Sequence, residues 1–83
     1  MPFVYIIGGG ADNMQKANLT SQIDGLTSVF TVPEVYVSGS LRVYFNGVRQ
    51  ILSVTFSETS TTTFTLSFIP ISGDYLSIDY IRG

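Results

Sequence analysis

Asn46-Gly47, set between two alternating apolar runs in Ser40 to Ile51 (SLRVYFNGVRQI), constrains the fold more than any other part of the chain. Both residues accept positive φ, so the pair closes a two-residue type I′ hairpin whose twist matches its strands. That loop sets a register: Phe45 opposite Val48, Tyr44 opposite Arg49, Val43 opposite Gln50 and Leu41 opposite Leu52. Leu41, Val43, Phe45, Val48 and Leu52 then read as one buried face. Tyr44 and Arg49 pair outside it, where a ring and a guanidinium can stack. Gln50 is the residue that does not fit.

From Leu19 onward, turn signals recur at the spacing of roughly 8–12 residues that marks an all-β sandwich or small barrel. A strand ends near Ile23 at Asp24-Gly25, and Ser28 to Val32 forms the next, stopped by Pro33. Glu34 to Gly39 reads as a connection or edge strand. The second hairpin strand runs on to Phe56 with Leu52, Val54 and Phe56 inward, and Ser57 to Thr62 is a polar tip or exposed strand end. Thr63 to Ile69 alternates, with Phe64, Leu66 and Phe68 inward. Pro70 to Asp74 turns into the last strand, where Leu76, Ile78 and Tyr80 face one side and Tyr75, Ser77, Asp79 and Ile81 the other. Phe30, Val32, Leu41, Val43 and Phe45 complete the predicted core with the inward residues of these strands. No helix is required. The fold class is all-β: a small antiparallel β-sandwich or barrel over 19–83, with an extended N-terminal arm over 1–18. In that arm the strand-like Phe3, Val4, Tyr5, Ile6 and Ile7 precede Gly8-Gly9-Gly10, a hinge that lets the first segment reach a neighbour.

At 83 residues the chain is near the size at which one hydrophobic core only just offsets the entropy of folding. It has no cysteine for a disulfide, and with no histidine the usual zinc sets are missing. Self-association is the remaining staple. A composition of 45% hydrophobic and 12% charged residues agrees, because charge-poor surfaces favour association. A homo-oligomer or a subunit of a larger particle is expected. Nucleic acid is not an expected partner, since the net charge is -2 and the four Lys and Arg are widely spaced. Phe3 to Ile7 is too short to span a bilayer and follows no basic segment. The expectation is therefore synthesis in a cytoplasm, no classical export signal and no membrane partner.

Without histidine or cysteine, a Ser-His-Asp triad, a Cys-His pair and a His-bearing metal site are excluded within one chain. Asp74 and Asp79 are the nearest approach to a carboxylate pair, but Asp74 reads as a turn residue accepting backbone N–H groups. Gly8-Gly9-Gly10 lacks the following Gly-Lys-Ser/Thr of a phosphate loop. The chain therefore reads as non-enzymatic, with no cofactor and no metal. The residues singled out for partner contact are Phe3, Val4, Tyr5, Ile6 and Ile7 of the arm, Tyr36 in the 33–39 connection, and Tyr75 and Ile81 on the second face of the last strand.

Read in order, Ile23-Asp24-Gly25, Val29-Phe30-Thr31-Val32-Pro33, Ser40 to Gln50, Phe64-Thr65-Leu66, Pro70, Gly73-Asp74-Tyr75-Leu76 and Asp79-Tyr80 resemble a β module of tailed-bacteriophage structural proteins. The likeness covers about residues 19 to 82. Such modules occur in head decoration proteins, head fibres, tail fibres and baseplate or tail-tip components. The resemblance implies a virion part, often trimeric, that performs no catalysis. A bare module with an arm fits a capsid decoration or cement protein that docks on the major capsid protein and reinforces the head lattice. The alternative it leaves is a tail-tip, tail-fibre or head-fibre module that binds a receptor or glycan through Tyr36 and its neighbours.

Overall fold

The computed structural model describes residues 14–83, so Phe3 to Ile7 and Gly8 to Gly10 lie outside the described residues. Among the described residues seven strands form: β1 (Met14–Asn18), β2 (Val29–Thr31), β3 (Arg42–Phe45), β4 (Val48–Arg49), β5 (Phe56–Glu58), β6 (Thr63–Leu66) and β7 (Leu76–Ile81). They make two antiparallel sheets, one ordered β1-β7-β3-β4 and the other β2-β6-β5. The chain is all-β, as its alternation predicts.

The inward faces share one core. Phe30, Val32, Phe56, Phe64 and Leu66 from the three-stranded sheet meet Leu41, Val43, Leu76, Ile78 and Tyr80 from the four-stranded one. Phe30 stacks on Phe64 at 5.8 Å, and Phe56 meets Phe64 edge-on at 6.2 Å, so the aromatic rings of the smaller sheet set its packing. Phe45 and Phe68 close one end edge-to-face at 4.7 Å.

The hairpin forms with the register its loop demands. Asn46 and Gly47 have φ of 51° and 82°, and Tyr44 lies opposite Arg49 and Phe45 opposite Val48. The Gln50 N–H continues the ladder to the Val43 carbonyl at 2.7 Å. Gln50 finds its place locally, its Nε2 donating to the Val48 carbonyl at 2.9 Å. Asn46 also does more than turn the chain. Its Oδ1 accepts the Tyr75 N–H at 2.7 Å and its own N–H bonds the Tyr75 carbonyl at 2.8 Å, which latches the hairpin to the approach of β7.

Four expectations are corrected. The second hairpin strand does not run to Phe56. The Ile51 carbonyl accepts N–H groups from Val54 at 3.0 Å and Thr55 at 2.8 Å, and Ser53 takes φ 66°, so a tight turn ends the strand. The period-two parity breaks there, which leaves Leu52 and Val54 on the surface rather than in the core, Val54 at 67% exposure. Val48 keeps its register opposite Phe45 but is exposed too, at the outer end of the two-residue edge strand β4. Tyr44 and Arg49 sit opposite each other, but no ring-to-guanidinium contact joins them among the described residues.

The strand expected to end near Ile23 is a short 3-10 turn, Thr20–Gln22, preceded by the buried Leu19. Asp24 then accepts the N–H groups of Leu26 and Thr27 at 2.8 and 2.9 Å, which hold its carboxyl below the usual carboxylate range. Finally, the last five residues of the expected arm belong to the sheet. β1 pairs with β7 along its whole length, from Met14 opposite Ile81 to Asn18 opposite Ser77.

Candidate functional site

A small β-sandwich offers partners two kinds of surface, its sheet edges and its sheet faces. An edge strand presents unpaired N–H and C=O groups that accept another strand unless something blocks them. The four edges here differ in how they are blocked.

On β2, Ser28 and Val32 bond toward β6, so Val29 and Thr31 point their backbone groups outward. Both are covered by side chains. The Gln22 amide donates to the Thr31 carbonyl and accepts its N–H, each at 2.9 Å, and the Thr27 hydroxyl does the same for Val29 at 3.2 Å. On β5, the outward Phe56 carbonyl accepts the Ser53 N–H at 2.7 Å. On β4, the Ile51 N–H donates to Thr55 Oγ1 at 2.8 Å, and the strand stops after two residues.

β1 is different. Leu19 N–H bonds the Leu76 carbonyl at 2.8 Å, and the alternation this sets turns the backbone groups of Lys16 and Asn18 away from β7. Among the described residues nothing bonds those groups, so β1 is a five-residue open edge. The chain enters β1 directly from the segment that holds Gly8 to Gly10 and Phe3 to Ile7.

The residues expected to make partner contacts fare unequally. Tyr75 is 48% exposed and Ile81 lies at the surface opposite Met14, so both present the outer side of the four-stranded sheet. Tyr36 does not. It is 3% exposed, and its hydroxyl sits between the Ser60 carbonyl at 2.6 Å and the Thr63 carbonyl at 2.9 Å, donating to them as a shared proton. Burial, with Glu58 nearby, pushes this phenol up to about 12. Tyr36 is a core residue, and its ring has no face to offer a sugar.

The acidic groups are largely committed within the fold. The Glu58 carboxylate accepts the Gly39 N–H on both oxygens, at 2.8 and 3.0 Å, and so holds the turn at residues 37–40 against β5. Glu34 accepts the Tyr80 hydroxyl at 2.9 Å and pairs with Arg82 at 3.5 Å. The Tyr80 phenol is raised to about 12 by burial and by this carboxylate. Asp74 accepts the Ile71 N–H at 2.9 Å and the Asn46 amide at 3.2 Å, which is the turn role its place after Gly73 suggests. It is therefore no partner for Asp79, which lies in β7 between Lys16 and Arg42. No group of three His, Cys, Asp or Glu side chains fit for a metal ion occurs among the described residues.

Sequence reasoning did not find the edge devices, Gln22, Thr27 and Glu58. Side-chain amides and carboxylates that stand in for a backbone partner leave no periodic signal. Compared with protein-family models, curated proteins and solved structures, the chain matches none.

Proposed function

We propose that this chain is a non-enzymatic structural subunit of a bacteriophage virion, a capsid decoration protein that docks on the head lattice and reinforces it. The observation that carries the reading is the asymmetry of the edges. Side chains cover the outward groups of β2, and tight turns cut β4 and β5 short beside Ile51 and Phe56, while β1 is an open edge five residues long that follows the apolar, glycine-containing segment in the chain. The longest uncovered edge is the one suited to strand addition. In this reading Phe3 to Ile7 of one subunit adds a strand to a neighbouring copy or to the major capsid protein. Tyr75 and Ile81 contribute exposed apolar contact, and the assembly is a homo-trimer made in the host cytoplasm.

Exposed apolar side chains support the same reading. Val48, Ile51, Leu52 and Val54 all lie at the surface around the β4–β5 turn. In a chain this poor in charge, such a cluster is suited to burial against another subunit.

Deletion of residues 2–10 tests the reading. Binding of the truncated chain to purified capsids and its oligomeric state by light scattering are both measured against the full chain. Loss of both supports the proposal, and unchanged capsid binding and association sink it. The second functional reading, a glycan site on Tyr36, has no support from the position of that ring.

A further inference from the structure

The four cations of this acidic chain stand at positions 16, 42, 49 and 82, with no clustering in the sequence. The order β1-β7-β3-β4 brings three of them together on one side of the larger sheet. Leu76, Ile78 and Tyr80 of β7 point into the core, so Ser77, Asp79 and their cross-strand partners point out. One outward row reads Lys16, Asp79, Arg42, and the next reads Asn18, Ser77, Tyr44, Arg49. With strands spaced by roughly 4.8 Å, Lys16 and Arg42 arise about 10 Å apart with Asp79 between them.

The state of these groups is as informative as their place. Asp24, Glu34, Glu58 and Asp74 each accept hydrogen bonds that hold the fold together. The side chains of Lys16, Arg42 and Arg49 have neither an ion pair nor a hydrogen bond to any described residue. On the same face a groove of about 360 Å³ is lined by Lys16, Asn18, Tyr75, Ser77 and Asp79. Tyr75 stands at its end, its ring half exposed and its hydroxyl accepting from Asn18 Nδ2 at 3.4 Å.

We propose that this outer face binds an acidic polysaccharide. Lys16, Arg42 and Arg49 take its anionic groups, Asn18, Ser77 and Asp79 bond its hydroxyls, and Tyr75 stacks on a sugar ring. The central acid decides the chemical class. Asp79 between two cations repels any anion set directly over it, so the fitting ligand spaces its anionic groups with neutral hydroxyl donors, as the rings of an acidic polysaccharide do and a DNA backbone does not. Three cations are also few for nucleic acid, where tight binders neutralise about 6–10 phosphates. This site shares Lys16 and Asn18 with β1 and Tyr75 with the proposed assembly contact, but it is argued from the outward side chains and not from the open backbone groups, so its binding test does not depend on the virion reading.

The test is binding of the full chain to fluorescently labelled polysaccharides at low salt, read by anisotropy. Polygalacturonate offers carboxylates, heparin offers sulfates together with carboxylates, dextran is neutral, and a single-stranded DNA oligonucleotide supplies phosphates without the sugar-ring fit. Binding to polygalacturonate or heparin, absent with dextran, is the expected result, and binding to heparin alone assigns a need for sulfate or for its higher charge density. R42S with R49S should weaken it by about tenfold or more, and Y75A should weaken it separately while the thermal melt stays near that of the parent. The proposal is overturned if neither acidic polysaccharide binds, if the oligonucleotide binds as tightly, or if the double variant binds unchanged.

Discussion

The side-chain amide of Gln22 occupies the place of a strand beside Thr31, donating from Nε2 to its carbonyl and accepting its N–H on Oε1, each at 2.9 Å. A backbone partner makes the same pair of bonds in an antiparallel ladder. Gln22 can do this because the 3-10 turn at Thr20–Gln22 brings it alongside β2, and Asp24 then turns the chain back through its bonds to Leu26 and Thr27. The short turn that replaces the expected strand thus closes the sheet edge next to it.

Gln22→Ala removes both bonds and opens that edge. The site is exposed and water can replace the amide, so the loss of stability should be about 1 kcal/mol, read as a lower denaturant midpoint at unchanged slope. Static light scattering should show more association in the variant than in the parent, because Thr31 then offers free backbone groups. A variant that is destabilised yet shows no added association would mean that the amide supports β2 without guarding it.

Tyr36 yields a second prediction. Tyr36→Phe leaves the ring in the core but strips the hydroxyl from between the Ser60 and Thr63 carbonyls. Those two groups tie the polar tip before β6 to the 33–39 connection, and losing their donor should cost about 1–2 kcal/mol in denaturant unfolding. Tyr36→Ala adds a cavity and should cost about 3–5 kcal/mol. A near-neutral alanine variant would show that the ring is not packed as described.

How much of this was legible in the chain depends on which force decided each element. The Asn46-Gly47 hairpin and the inward parity of Leu76, Ile78 and Tyr80 follow from local backbone preference and alternation, and both hold. Alternation failed past Arg49 because the turn at Ile51 to Phe56 is set by hydrogen bonds to one carbonyl and to Thr55 Oγ1, which a hydrophobic count does not register. β1 was hidden because its inward residues are Gln15 and Ala17, and the ladder to β7 holds it instead of apolar burial. The grouping of Lys16, Arg42 and Arg49 depends on strand order, which spacing along the chain does not encode.

The two raised tyrosines make stability sensitive to alkali. Tyr36 and Tyr80 are held up at about 12 against an ordinary value of 10.0. The unfolded chain therefore releases these protons first as pH rises, so their contribution is intact below pH 10 and is lost between about pH 10 and 12. Denaturant unfolding across that range should show a steep fall in stability. In Tyr36→Phe with Tyr80→Phe the fall should flatten, and the late phase of tyrosinate absorbance should disappear. An equally steep fall in the double variant would assign the alkaline loss to other groups.

Glu58 and Gly39 report on one turn from two sides. Gly39 takes φ +83° at the third position of the turn from Val37 to Ser40, closed by the Ser40 N–H on the Val37 carbonyl at 3.0 Å. That geometry is a type II turn, whose third position glycine or asparagine takes with little strain and alanine does not, so Gly39→Ala should cost about 1–2 kcal/mol. Glu58 holds the same turn from β5 by accepting the Gly39 N–H on both oxygens. A bond to a charged acceptor is the stronger kind, so Glu58→Ala should cost about 1.5–3 kcal/mol, and Glu58→Gln, which keeps an oxygen and loses the charge, should cost less. The double variant separates the two effects. If the carboxylate acts through this turn, a turn already displaced by Gly39→Ala loses less when Glu58 is removed, and the costs sum to less than the two singles by about 0.5 kcal/mol or more. Strict additivity in denaturant unfolding would mean that Glu58 stabilises β5 by another route.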